Sequence, residues 1–143
     1  ELYRWSPFVA DPERVDELHA MRIAAKRLRY TMEIFAPAFS ASSKEFDAIY
    51  DKIKSVQEQI GEVHDADVRG PLLQAFLDDH ADARPEIRVG LEALMAAQRK
   101  ERAARYRAFV SFWTKLQKQG FKRRFLQMLV IEDAAPPEEG NTQ

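Results

Sequence analysis

Apolar residues along most of this chain recur at spacings of three and four, which is the period of an amphipathic α-helix. The clearest case is the stretch 17–35, ELHAMRIAAKRLRYTMEIF. Its apolar stripe consists of Leu18, Met21, Ala25, Leu28, Met32 and Phe35. Asp11-Pro12-Glu13 is a typical helix start, and Pro37 cannot continue a helix. The pattern therefore predicts a first helix from about Pro12 to Ala36.

The same spacing predicts a second helix that ends near Ile60, with Ser40, Ser42 and Ser43 as its candidate capping residues. Gly61 either ends this helix or bends it. The segment that follows has Gly70-Pro71 in its middle. Because proline disrupts a helix interior but suits a first turn, either this segment kinks or a new helix begins at Pro71.

Pro85-Glu86 predicts the start of a long helix that runs to Leu116, about 32 residues or roughly 48 Å. Residues 121–130 predict a short last helix after Gly120. No segment shows the period-2 alternation of a β-strand. We therefore expect an all-α fold, an antiparallel bundle of long helices, with four main helices plus a short C-terminal one.

The two ends of the chain differ from this helical pattern. Residues 1–10 contain four large apolar side chains around Ser6-Pro7, and we interpret them as an ordered strap that packs aromatic rings on the core rather than as a helix. The last twelve residues, EDAAPPEEGNTQ, are acidic and proline-rich, which is typical of disorder. We expect one helical domain at 1–131 and a disordered acidic tail at 132–143.

Composition excludes several classes of function. The 143 residues carry a net charge of −1, which does not indicate a nucleic-acid-binding protein, although ten Lys or Arg residues lie between Arg99 and Arg124 against Glu101 alone. There is no cysteine, which excludes disulfides, thiol nucleophiles and thiolate metal sites. No apolar run reaches 18 residues, so we expect no membrane span and a cytoplasmic protein.

The predicted first helix also carries cations along one side. His19, Arg22, Lys26 and Arg29 fall within an arc of about 80°, directly beside the apolar stripe. Like charges at these spacings repel one another unless an anion lies nearby, and guanidinium groups offer forked donors to phosphate oxygens. This row is a candidate anion-binding surface. The alternative is a solvated face whose cations pair with acids of neighbouring helices.

The segments HAMRIAAKRLRYTMEIF and SVQEQIGEVHDADV resemble the CHAD family, the conserved histidine α-helical domain. The first part of the motif is matched by His19, Arg22, Lys26, Arg27, Arg29 and Tyr30. The second part is matched by Gly61, Asp65, Asp67 and Val68. Lys54 lies where the family often has a lysine, and FWTKLQKQGFKRRF is similar to the closing segment of the family. The resemblance covers residues 17–77.

CHAD domains are all-helical, and they bind inorganic polyphosphate through basic residues that line a central groove or pore. The resemblance thus implies a non-catalytic binding module for polyphosphate, which associates with polyphosphate granules. Family members usually hold two helical halves, whereas this chain has one copy of the motif and resembles the C-terminal half. Either the chain is a fragment, or two copies form a homodimer that completes the bundle.

The resemblance and the basic row together give a set of expected contacts to polyphosphate. These residues are His19, Arg22, Lys26, Arg27, Arg29, Lys54, Lys122, Arg123 and Arg124. Tyr30, Asp65 and Asp67 are expected to support them, the two aspartates by pairing with Arg27 or Arg29. Asp65 and Asp67 could instead be solvent-exposed or bind a metal beside His64, but residues two apart on a helix point to different sides.

Other functions find less support in the sequence. The three histidines lack a metal-binding spacing and there is no glycine-rich phosphate loop, so we expect no catalytic residue, no cofactor and no metal. A nucleic-acid-binding module could use the same basic row, but the net charge and the lack of exposed stacking aromatics disfavour it. A protein-docking helical domain is the third alternative.

Overall fold

The computed structural model describes residues 1–80 and 85–130, and side chains at all of these positions except 40–43 and 130. The α-helices of this part are α1 (Val15–Phe35), α2 (Ser43–Asp79), α3 (Pro85–Lys118) and α4 (Phe121–Val130). The described residues form no strand, so the predicted all-α fold is confirmed. The predicted acidic tail, the serine caps before α2 and most of the connection before α3 lie outside what the structure describes.

The prediction of four main helices treats residues 43–79 as two helices. The structure has one helix of 37 residues there, α2. It passes through Gly61 without ending and contains Pro71 in its interior. Both residues weaken a helix locally, but α2 packs against both α1 and α3, and Ile60, Val63 and Ala66 near Gly61 are buried. Burial of these neighbours thus outweighs the local weakening at Gly61. Within residues 1–80 and 85–130 the bundle has three long helices and the short α4, whose predicted range 121–130 is confirmed.

The N-terminal strap forms a 3-10 helix at Leu2–Phe8, so the expectation that it is not helical is wrong. Its predicted packing on the core is confirmed, because Leu2 is buried and the indole of Trp113 donates a hydrogen bond of 3.0 Å to Oγ of Ser6. The hydroxyl of Tyr106 donates a second bond of 2.7 Å to the carbonyl of Val9. Since Trp113 and Tyr106 belong to α3, these bonds join the beginning of the chain to its second half.

The start of α1 differs from the prediction. The helix begins at Val15 rather than at Pro12, and Arg14 occupies its N-cap position without a capping side-chain bond. Asp11 forms a local turn instead, in which its Oδ1 accepts a hydrogen bond of 3.0 Å from the amide of Glu13. At the other end α1 stops at Phe35, two residues before Pro37, and a 3-10 helix follows at Ala36–Ser42.

A single hydrophobic core lies between the three long helices. Fully buried side chains come from α1 (Met21), α2 (Ile49, Ile53, Val56, Ile60 and Val63), α3 (Phe109 and Trp113) and α4 (Met128). Each large apolar side chain buried in this way stabilises the fold by about 1.5–3 kcal/mol. None of the helices in the described part of the chain has the length and hydrophobicity that a membrane span requires.

Two tyrosine hydroxyls near the strap provide a test of this packing. We expect Tyr106→Phe to lower the free energy of unfolding by about 1–2 kcal/mol, because the substitution leaves the carbonyl of Val9 without its donor. Urea unfolding followed by circular dichroism measures the effect.

Tyr3→Phe is the matched control. The hydroxyl of Tyr3 is buried without a hydrogen-bond partner, and burial raises the pKa of Tyr3 to about 12. Removing this hydroxyl should leave stability unchanged or raise it at neutral pH. In the wild type, the Tyr3 hydroxyl ionises near pH 10 in the unfolded chain and only near pH 12 in the folded one, so stability falls between these pH values. Tyr3→Phe should remove this part of the alkaline loss of stability. Equal losses in both variants would contradict the assignment of the Tyr106 bond.

Candidate functional site

Two side-chain contacts show how α1 lies against α2. The imidazole rings of His19 and His64 are stacked, with centroids 4.7 Å apart and an angle of 28° between their planes. Three residues later on α1, Nε of Arg22 lies 3.7 Å from the position that a Cβ would occupy on Gly61. Three residues forward on α1 thus correspond to three residues back on α2. The two helices are antiparallel.

A third contact extends the same register to the other end of the interface. The hydroxyl of Tyr50 donates a hydrogen bond of 2.7 Å to Oε1 of Glu33. Glu33 is fourteen residues from His19 on α1, and Tyr50 is fourteen residues from His64 on α2. This bond raises the pKa of Tyr50. The register then brings the intermediate positions of the two helices to the same levels, Lys26 with Gln57 and Arg29 with Lys54.

These ten residues define one surface, which we call the α1–α2 seam. Its members on α1 are His19, Arg22, Lys26, Arg29 and Glu33. Its members on α2 are Tyr50, Lys54, Gln57, Gly61 and His64. On each helix the five positions fall within an arc of about 80°, beside the apolar residues that enter the core. The predicted basic row therefore faces a second helix along its whole length.

Gly61 explains how Arg22 fits into the seam. A Cβ at this position would stand in ordinary van der Waals contact with the Arg22 guanidinium, and a longer side chain would occupy the same space. The missing side chain lets the arginine lie across α2. The glycine leaves room for this approach of a side chain and has no unusual backbone conformation, since it lies inside a helix.

The cations of the seam differ in their partners. Nε of Arg29 lies 3.5 Å from Oε1 of Glu33, and its guanidinium lies 4.7 Å from the ring centroid of Tyr30. The Lys26 amino group lies 5.7 Å from the same ring. Arg22 and Lys26 form no ion pair with any carboxylate of residues 1–80 and 85–130. Two positive charges on this surface are therefore uncompensated within the described part.

The seam also concentrates polar atoms that are buried without a hydrogen-bond partner. Six such side-chain atoms occur among the described residues. Four of them belong to the seam: Nδ1 of His19, Nε of Arg29, Oε1 of Gln57 and Nδ1 of His64. Each unsatisfied group costs roughly 1–3 kcal/mol, so native structures keep few of them and often keep them at functional positions. Their clustering singles out the seam from the rest of the described surface.

Lys54 belongs to the seam, where its amino group lies 4.0 Å from the Glu58 carboxylate on the next turn. Arg27 does not belong to it, because Arg27 follows Lys26 by one residue and is therefore rotated by about 100° around α1. Arg27 pairs instead with Glu1, with 3.1 Å between Nη1 and Oε1, and both side chains are more than half exposed.

The three basic residues predicted from α4 also lie away from the seam. The Lys122 amino group lies 5.4 Å from the ring centroid of Tyr3. The Arg123 guanidinium lies against Gly120, whose φ of 67° forms the turn between α3 and α4. Nε of Arg124 lies 4.0 Å from a carboxylate oxygen of Glu45. The predicted set of nine contacts is therefore divided between the seam and other surfaces.

Asp67 has a partner that the sequence analysis did not consider. Its Oδ1 accepts a hydrogen bond of 2.8 Å from Nε of Arg102 on α3, and both side chains are less than one-fifth exposed. Arg102 also donates to the carbonyl of Pro12, at 2.8 Å. Arg102 thus links α3 to α2 and to the segment before α1, and we call its ion pair with Asp67 the Asp67–Arg102 clamp.

The expected pairs of Asp65 or Asp67 with Arg27 or Arg29 do not occur among the ion pairs of the described residues. The register explains the difference, since Arg29 lies at the level of Lys54, eleven residues or roughly 16 Å along α2 from Asp65. The Asp65 side chain is 63% exposed, with Oδ1 3.5 Å from Nδ1 of His64. The residues that the structure describes contain no cluster of three or more His, Asp or Glu arranged for a metal.

Sequence analysis missed Tyr50, Gln57 and His64 as members of the seam. A signal for them exists, because these residues and Lys54 and Gly61 repeat on α2 the spacing of three and four that the basic row shows on α1. The facing of the two rows depends on the packing of the helices, however, and a pattern within one helix does not report it.

The segment that contains this seam matches a known protein family. The sequence model of the CHAD domain matches residues 4–74, which include most of the strap, all of α1 and most of α2. This segment belongs to the CHAD domain family. Every residue of the seam lies inside the matched segment, and the resemblance found in the sequence is confirmed. No curated protein and no solved structure matches this CHAD chain.

The Asp67–Arg102 clamp gives a testable consequence for stability. We expect Asp67→Ala to lower the free energy of unfolding by roughly 1–3 kcal/mol, because it leaves the guanidinium of Arg102 partly buried and without its carboxylate. Thermal and urea unfolding measure the change.

Asp65→Ala is the matched control for this substitution, two residues away on the same helix and largely exposed. Its effect should stay within about 0.5 kcal/mol. If Asp65→Ala lowered the free energy of unfolding as much as Asp67→Ala does, the Asp67–Arg102 pair would not be the cause of the effect.

Proposed function

We propose that this CHAD domain binds inorganic polyphosphate along the α1–α2 seam, as a module without catalytic activity. The observation that carries the proposal is the pair of cations, Arg22 and Lys26, that lack a carboxylate partner in the described part of the chain and lie beside four buried polar atoms that make no hydrogen bond. The family supports the same ligand, because CHAD domains are associated with polyphosphate.

The spacing of the seam suits a linear polyanion. From His19 to Arg29 the basic positions span ten residues of α1, or roughly 15 Å along the helix axis. An arginine can donate two parallel hydrogen bonds to phosphate oxygens, whereas a lysine supplies a point charge. Because the groups stand on one rigid helix, little order is lost when an anion binds.

Neighbouring groups hold these cations in place. The ring of Tyr30 lies near both Lys26 and Arg29, and such cation–π contacts are worth about 0.5–1 kcal/mol at exposed sites. Glu33 restrains Arg29 from the side, and Gly61 gives Arg22 its place across α2. In this proposal Tyr30 has the supporting role that the sequence suggested, and Gly61 and Glu33 share it.

The histidine pair at one end of the seam offers a different kind of contact. A neutral imidazole has one donor and one acceptor nitrogen, and a protonated one has two donors. His19 and His64 both have a buried Nδ1 that makes no hydrogen bond, although the Asp65 carboxylate lies 3.5 Å from that of His64. Near a phosphate they can serve as donors in either protonation state. In this proposal one end of the bound polyphosphate segment lies at the stacked histidines.

The seam provides the primary contacts: His19, Arg22, Lys26, Arg29 and Lys54. Arg27, Lys122, Arg123 and Arg124 contribute to polyphosphate binding only as secondary contacts, through their positive field. One seam covers a polyanion from one side. We therefore propose that a second copy of the chain forms a homodimer and adds a second seam, and that the protein associates with polyphosphate granules.

The seam is tested by reversing three of its charges together, Arg22→Glu, Lys26→Glu and Arg29→Glu. Calorimetry with long-chain polyphosphate should show at least a hundredfold loss of affinity, because each charge-assisted contact is worth roughly 1.5–3 kcal/mol. Wild-type binding should also weaken steeply as salt is raised, by analogy with counterion release from nucleic acids.

The matched control reverses three exposed cations of α3, Lys100→Glu, Arg107→Glu and Lys115→Glu, and changes the net charge equally. This control should lose less than tenfold in affinity. Unchanged binding in a folded seam variant, or an equal loss in the control, would overturn the seam as the site. Competition by single- and double-stranded nucleic acid in the same titration measures the selectivity for polyphosphate.

The homodimer is tested by the mass of the protein in solution. Light scattering after size-exclusion chromatography should show two chains per particle when polyphosphate is bound. The charge-reversed seam variant should not gain mass upon addition of polyphosphate. A wild-type complex that contains a single chain would contradict the second seam while leaving the first intact.

A further inference from the structure

A second basic surface lies on the other side of α1 and has a different character from the seam. It is a cleft of about 550 Å³ between the strap, α1 and α4, which we call the strap cleft. Its apolar walls include Leu28, Ile53, Phe121, Phe125 and Leu126. Its cationic side chains are Arg4, Arg27 and Lys122. Arg27 and Lys122, which the sequence grouped with the polyphosphate contacts, thus meet here.

The size and the walls of the strap cleft suit a small organic molecule. Small-molecule sites usually measure 300–1,000 Å³ and are lined mainly by apolar and aromatic groups, with a few polar groups that fix the orientation of the ligand. Three aromatic rings line this cleft, those of Tyr3, Phe121 and Phe125. A polyphosphate chain has no apolar part that could use these walls.

The charges around the cleft select for an anion. Arg4 and Lys122 form no ion pair with a carboxylate of the described residues, and each lies 5.4 Å from an aromatic ring centroid, that of Trp5 and Tyr3 respectively. Arg27 pairs with Glu1, the one carboxylate among the lining residues. Because this pair is exposed, it contributes little, and an incoming anion can replace Glu1 at low cost.

Apolar walls and cations together define the class of ligand. We propose that the strap cleft binds a small aromatic anion, a planar ring system that bears a phosphate, sulfonate or carboxylate group. The ring system lies between the walls formed by Leu28 and Phe125, and the anionic group lies between Arg27 and Lys122. This inference rests on the cleft alone and is independent of polyphosphate binding at the seam.

The test uses anilinonaphthalene sulfonate, a fluorescent aromatic anion, as the probe. Titration of the wild-type protein should give saturable binding of one probe per chain. The double variant Arg27→Gln, Lys122→Gln should bind the probe at least tenfold more weakly, because both groups that face the sulfonate are lost. Circular dichroism establishes that the variant is folded before its affinity is compared.

The matched control is Lys26→Gln, Arg123→Gln, in which each changed residue adjoins one of the test residues in sequence but does not line the cleft. This control should bind the probe with wild-type affinity. An equal loss in both double variants, or no loss in either, would overturn the proposed site.

Displacement of the probe tests the requirement for a ring. Adenosine monophosphate should displace it at a concentration at least tenfold lower than inorganic pyrophosphate, which carries charge without a ring. Equal displacement by the two would overturn the aromatic class. The charge-reversed seam variant should bind the probe normally, so that failure of the seam and failure of the cleft give different results.

Discussion

The antiparallel register of α1 against α2 is the constraint on which both the fold and the candidate site depend. On each helix the polar row lies directly beside the apolar stripe. Burial of Met21 on α1 and of Ile60 on α2 therefore also fixes the direction in which the polar residues point. A change of one residue in this register would rotate a side chain by about 100° out of the interface. The stability of the core and the arrangement of the seam are therefore set by the same packing, and neither can change alone.

Sequence periodicity predicted what belongs to one helix and failed where two helices must be related. The apolar stripe and the basic row of α1 follow from angles within a single element. The structure buries Leu18, Met21, Ala25 and Met32 of this stripe, whereas Phe35 at the end of the helix is 57% exposed because less of the bundle covers it. The partner of Asp67 could not be predicted in this way, because Arg102 is 35 residues distant and belongs to another helix. Arg29 is not its partner because the antiparallel register puts Arg29 at the level of Lys54, thirteen residues from Asp67 along α2.

The errors at helix ends have a related cause. Whether a chain continues through Gly61 depends on the free energy of burial of neighbours such as Ile60 and Val63, which a local propensity does not include. The strap at 1–10 was predicted to pack on the core, and it does, but its 3-10 form and its bonds to Trp113 and Tyr106 involve residues about a hundred positions later. Loops and caps were harder to predict than faces because their partners are remote.

The glycine beneath Arg22 has a mechanical consequence. Between Phe46 and Val68, Gly61 is the one position of α2 that lacks a side chain, so the guanidinium of Arg22 lies at the level where α2 is narrowest. Sliding of α1 along α2 by one turn would bring the arginine to the level of Gln57 or of His64, where side chains are present. Shear, a common way for packed helices to move, would therefore change the surroundings of Arg22.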